Sequence, residues 1–126
     1  MKPVKHKLAS GLVGLAALAA ASGAEADEFR TTEEASVVRG SIVFKTYCIL
    51  CHGVDGEGDG RASKIHDPKP ANLTLSFLND AQKEIIIRKG GASVGRSAAM
   101  PAWGEHMTNE QVSDVVAYLR KINRRP

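Results

Sequence analysis

Five consecutive residues, Cys48-Ile49-Leu50-Cys51-His52, bring the chain's only two cysteines and an imidazole together. A C-x-x-C-H run is the attachment signal for haem c. Sulfurs about one helical turn apart each add across a vinyl group of the porphyrin, and the next residue delivers its imidazole to the iron. Three other chemistries use paired cysteines. A redox dithiol of the thioredoxin kind needs C-x-x-C at the start of a helix that follows a strand, whereas Ser41 to Tyr47 carries a helical pattern into Cys48. Zinc needs about four ligands, and no second Cys/His pair stands at metal spacing. A structural disulfide has no use for the adjoining histidine. Covalent attachment of one haem through Cys48 and Cys51, with His52 as an axial iron ligand, is therefore the expectation.

The residues after this run imitate other binding motifs without completing them. Gly53 to Gly60 reads Gly-Val-Asp-Gly-Glu-Gly-Asp-Gly, too rich in glycine for helix or strand, and is expected as a flexible connection past the haem. Asp55, Glu57 and Asp59 resemble the opening of a calcium loop, but the twelfth position is His66 where a bidentate glutamate belongs. The glycines also lack the lysine and the strand context of a phosphate-binding loop.

The elements that must position these groups are all helical. Thr31-Thr32-Glu33-Glu34 fits a capping box with Thr31 as N-cap, so a helix starts near Thr32 and runs into the C-x-x-C-H motif. Its apolar face is expected from Val38, Ile42, Phe44 and Tyr47, interrupted by Gly40, which mid-helix costs roughly 1 kcal/mol against alanine and so calls for a packing reason. Pro68, Pro70 and Asn72 mark an extended turn. Asn79 or Asp80 caps a short helix through Ile85-Ile86-Ile87 that Gly90-Gly91 ends; a buried strand is the competing reading of three β-branched residues. A loop from Gly91 to Gly104 carries Met100-Pro101-Ala102-Trp103. Thr108-Asn109-Glu110-Gln111 is a second capping box, opening a helix whose Val112, Val115, Val116, Leu119 and Ile122 share one face.

The N-terminus belongs to a different task. Lys2, Lys5 and Lys7 precede an apolar stretch from about Leu8 to Ala21, and Ala24-Glu25-Ala26 offers small residues for cleavage, the pattern of a signal peptide over 1–26. The apolar stretch is shorter than the ~20 residues that span a bilayer, so no stable membrane insertion is expected after cleavage. Export places the 27–126 domain in the periplasm. That domain holds 14 Lys and Arg against 13 Asp and Glu, so the formal charge falls from +3 to +1 and no dense basic stripe supports a nucleic-acid partner. Aromatic residues are only 5% of the chain, and a buried haem would supply apolar surface that the side chains alone lack.

Over residues 31–124 the chain resembles class I cytochrome c, in its bacterial periplasmic branch. Gly40 and Phe44 stand before Cys48 at that family's spacing, and Val115-Val116-Ala117-Tyr118-Leu119 is similar to its C-terminal helix. The resemblance implies an all-α fold in which the terminal helices cross with Gly40 against Tyr118. Short helices and loops then wrap one haem. It implies that the Pro70 carbonyl, within Pro70-Ala71-Asn72-Leu73, holds Nδ1 of His52, and that Met100 is the sixth ligand, ahead of Met107, His66 and His106. Trp103 is expected on the haem edge, at a propionate, or in the core. His/Met ligation leaves no open coordination position, so the implied function is one-electron transfer between redox protein partners rather than catalysis. A ring of Lys45, Lys64, Lys69, Lys83 and Lys89 is a possible steering surface for acidic partners. The alternatives are a dedicated cytochrome subunit or partner of an exported dehydrogenase or sulfur-oxidising enzyme, and a haem enzyme or ligand sensor with a labile sixth ligand.

Overall fold

The structure, a computed structural model, describes residues 28–125; the expected signal peptide lies outside them. The body formed from Thr32 onward is helical, and no strand occurs among the described residues. Its helices are α1 (Glu33–Tyr47), α2 (Ile49–His52), α3 (Asp80–Lys89) and α4 (Asn109–Ile122), with 3-10 turns at Arg61–Ile65, Leu73–Leu75 and Gly91–Val94.

The N-cap of α1 is Thr32, not Thr31: its side chain accepts from the Ala35 amide, while the Thr31 hydroxyl donates to the Glu28 carbonyl in a preceding turn. The other two caps form as the sequence predicts. Asn79 with Gln82 opens α3 and Thr108 with Gln111 opens α4, each with both reciprocal bonds of a capping box. Gly90, at φ 78°, ends α3, so the three isoleucines are helical.

The helices α1 and α4 cross at Gly40. A Cβ added there would lie 1.9 Å from the Asp114 carbonyl oxygen and 3.0 Å from Tyr118 Cβ, so only a hydrogen fits between the two backbones. Phe44 and Tyr118 then meet with ring centroids 5.2 Å apart. The core around this crossing is Val43, Phe44, Ile87, Met107, Val112, Val115, Val116 and Leu119. Phe44 is buried as expected, but Val38 and Ile42, expected on the same face of α1, are exposed and Ala35, Gly40 and Val43 are buried instead, because the close approach at Gly40 sets the helix's rotation.

Polar groups fasten the same crossing. Asp114, on α4, is buried and accepts from Arg39 Nε at 2.7 Å, from a second Arg39 nitrogen at 2.8 Å, and from the Ser36 hydroxyl. A buried carboxylate is tolerable only with such partners, and the two-pronged guanidinium geometry supplies them. At the other end Arg120 bridges Asp80 of α3 and Glu33 of α1, and Asp80 also holds Lys83 at 3.2 Å. Lys83 is thereby only 8% exposed and leaves the expected lysine ring.

Candidate haem site

The motif occupies the join between α1 and α2. Cys48 caps the end of α1, its amide bonded to the Phe44 carbonyl, and its own carbonyl accepts from the His52 amide at 2.9 Å. Cys51 follows Cys48 by one turn, and no disulfide joins them. Burial, with a smaller contribution from Cys51, pushes the Cys48 thiol up to about 12. Reactive dithiols have lowered pKa values; Cys48 also opens α2, but burial raises its thiol, so its ionisation speaks against a thioredoxin-type couple. Among the described residues no group of three His, Cys, Asp or Glu side chains is arranged for a metal ion, and Glu57 of the acidic loop pairs with Arg124 at 2.9 Å.

The His52 ring is fixed by its second nitrogen. Nδ1 lies 3.0 Å from the Ala71 carbonyl oxygen, a separation that makes Nδ1–H the donor and leaves Nε2 with its lone pair. The resemblance pointed to the Pro70 carbonyl; the acceptor is one residue later, and the Pro70 oxygen faces Gly58 instead. Burial lowers the pKa of His52 and the Ala71 bond opposes it, which keeps the ring neutral as a metal ligand must be.

The glycine run is not a flexible tether. The Gly58 amide donates to the His52 carbonyl at 2.8 Å and the Gly60 amide to the Cys51 carbonyl at 3.1 Å, closing the C-terminus of α2. Gly58, at φ +83°, passes under the carbonyl strap: a Cβ there would lie 2.4 Å from the Pro70 oxygen. Glycine composition excludes helix and strand but is equally compatible with a tight, buried backbone, and burial decides for the latter.

Met100 is half-buried in a loop strapped to the end of α3. Its carbonyl accepts from the Gly91 amide at 3.0 Å, while the Trp103 and Gly104 amides donate to the Ile87 and Arg88 carbonyls at 2.9 and 3.1 Å. The Trp103 ring packs on Tyr47, centroids 5.3 Å apart, and Tyr47 immediately precedes Cys48. This pair ties the Met100 loop to the C-x-x-C-H turn, and gives Trp103 a place among the partly buried residues that pack on the core. Met107 is in the core, and His106 stands exposed with its ring in T-shaped contact with Trp103.

These residues fit a haem. Two unlinked thiols one turn apart, a neutral imidazole with Nε2 available and a thioether on a fixed loop form the donor set. The elements after His52 also carry exposed apolar side chains, Ile65, Leu75, Ile85 and Val94. Asp114, Gly58 and the Ala71 carbonyl were not singled out in the sequence. A lone acid within Val112-Ser113-Asp114-Val115-Val116 was the available signal for the first.

Comparison with known proteins agrees with this geometry. The cytochrome c family model matches residues 37–123. The chain is 24% identical over 93 residues to the cbb3-type cytochrome c oxidase subunit CcoP of Azospirillum brasilense, covering 74% of this chain and 30% of that subunit. Among solved structures it is similar to a chain of the reducing HAO-like protein complex of Kuenenia stuttgartiensis, with TM-score 0.58 and 31% identity, covering 68% of this chain and 41% of that one. The chain thus spans less than half the length of both. With a helical fold closed at Gly40, a C-x-x-C-H turn and a family match over most of its length, the chain belongs to the cytochrome c family, whose cofactor is covalently bound haem c.

Proposed function

We propose that this protein is an exported one-electron carrier. In it Cys48 and Cys51 would hold the haem as thioethers, and His52 Nε2 and the Met100 sulfur would be the ligands of its iron. The observation that carries the reading is the 3.0 Å bond from His52 Nδ1 to the Ala71 carbonyl, which orients the ring and fixes its tautomer for a metal. When bound, the iron of the haem takes up and releases a single electron. The chain's own residues keep the imidazole neutral and seat the thioether on a loop pinned to α3, so that little need move between oxidation states. Export to the periplasm rests on the Lys2 to Ala26 pattern.

The test is the visible and near-infrared spectrum of periplasmically matured protein, with haem staining of a denaturing gel. Covalent haem with a ferric sulfur-to-iron charge-transfer band is expected. Covalent haem without that band would remove Met100 from the ligand set, and absence of covalent haem would end the reading. A second reading, a dedicated subunit or partner of a redox enzyme, is favoured by the company the relatives keep, an oxidase subunit and a protein complex. Co-purification with such an enzyme at fixed stoichiometry would support it over a diffusible carrier.

A further inference from the structure

The outer face of the α1–α2 arm is apolar where a solvated helix should be polar. Val38 is 59% exposed, Ile42 61%, Leu50 57% and Val54 64%. Single exposed apolar side chains are ordinary, but these follow one another along one side. Val38, Ile42 and Thr46 succeed each other at four-residue spacing, and Thr46 continues into a shallow groove of about 560 Å³ lined by Lys45, Ile49, Leu50, Val54 and Arg61 among others. The polar atoms on this face are turned inward. The Thr46 hydroxyl donates to the Ile42 carbonyl at 2.8 Å and the Ser41 hydroxyl to the Val38 carbonyl at 2.7 Å.

From these observations we propose that the stripe Val38, Ile42, Leu50 and Val54 is the docking face for a one-electron redox protein whose own contact surface is apolar. The proposal rests on the electron-carrier reading, and it commits to a transient partner for three reasons. Leu50 stands between the two attachment cysteines, so a partner seated there meets the chain where the haem is joined to it. Four side chains on α1, α2 and the turn that follows offer far less than the ~800 Å² per partner of a stable complex, and weak redox encounters occupy the range below about 1,200 Å² in total. The groove's charges are mixed, Lys45 and Arg61 with Asp55 and Asp59, so it selects no partner of one sign. With Lys83 buried, the alternative of a continuous lysine ring is incomplete.

The test is stopped-flow oxidation of the full-length, haem-loaded, reduced protein by two oxidants. One is a blue-copper protein with an apolar docking face, in which an electron passes from ferrous iron to cupric copper, giving ferric iron and cuprous copper. The other is ferricyanide, which needs no docking face. The variants are Leu50→Asn and the double change Val38→Asn with Ile42→Asn, which carries the test if Leu50→Asn fails to mature. Each variant is expected to slow the copper reaction about tenfold, the size of effect that loss of one central apolar anchor gives, with spectrum and ferricyanide rate unchanged. The wild-type copper rate is expected to stay nearly flat with added salt. Variants that react with copper at the wild-type rate would overturn the surface while leaving the carrier standing, as would a wild-type rate that collapses with salt. A stable wild-type dimer in sedimentation that the variants dissociate would assign the face to a second copy and overturn the proposal. A wild-type protein that ferricyanide cannot oxidise would overturn the carrier reading itself.

Discussion

At the residue scale the site depends on small groups doing what larger ones cannot. Gly58 leaves room for the carbonyl strap over His52, so Gly58→Ala should cost about 1–3 kcal/mol from the positive φ and the clash together, and should move Ala71 off Nδ1. Because the Nδ1 bond adjusts ligand basicity, the reduction potential should shift while haem staining persists; potentiometry on the matured variant checks this. Met100→Ala should abolish the charge-transfer band and lower the potential with the haem still attached, since a methionine axial ligand raises it. Cys51→Ala should reduce the yield of covalent holoprotein, read by gel staining, and a normal yield would contradict attachment through both cysteines. The C-x-x-C-H run was fully legible in the sequence because its chemistry is local. The Ala71 acceptor was not, because which of two neighbouring carbonyls faces the ring depends on how the 70–73 turn packs over the glycine run, where the Pro70 oxygen meets Gly58.

Among the elements, the crossing of α1 and α4 governs stability. Gly40→Ala drives a methyl group into the Asp114 carbonyl, and a loss of about 3 kcal/mol or more in chemical denaturation is expected, because two backbones rather than flexible side chains would have to part. Tyr118 adds a pH dependence at the same place. Burial first, and the charge of Asp55 second, raise its pKa above the ordinary tyrosine value. A raised pKa means that its stabilising contribution is whole below pH ~10 and is lost as pH rises through the folded value. The denaturation midpoint should therefore fall above pH ~10, and Tyr118→Phe should flatten that fall. The caps of α3 and α4 could be read from sequence because the bonds run within four residues. The buried side of α1 could not: periodicity allowed Val38 and Ile42, and only the contact with α4 at Gly40 decided for Ala35 and Val43.

Across the whole molecule, the family, the helical class and the crossing of the terminal helices follow from a few spaced residues, while the outward-facing surface does not, since exposure is a property of the assembled body. One feature of that body bears on how it comes apart. The His52 side is held by the buried glycine turn, whose amides bond the Cys51 and His52 carbonyls, whereas the Met100 loop hangs on amide bonds to the Ile87 and Arg88 carbonyls in the last turn of a ten-residue helix. Any loosening of that last turn loosens the loop that carries Met100 with it. Amide exchange at Trp103 and Gly104 should then run ahead of exchange in α1 and α4, in step with transient loss of the sulfur ligand. The two sides of the iron would thus differ in lifetime as well as chemistry, and exogenous ligands would enter at a rate set by helix fraying rather than by their own affinity.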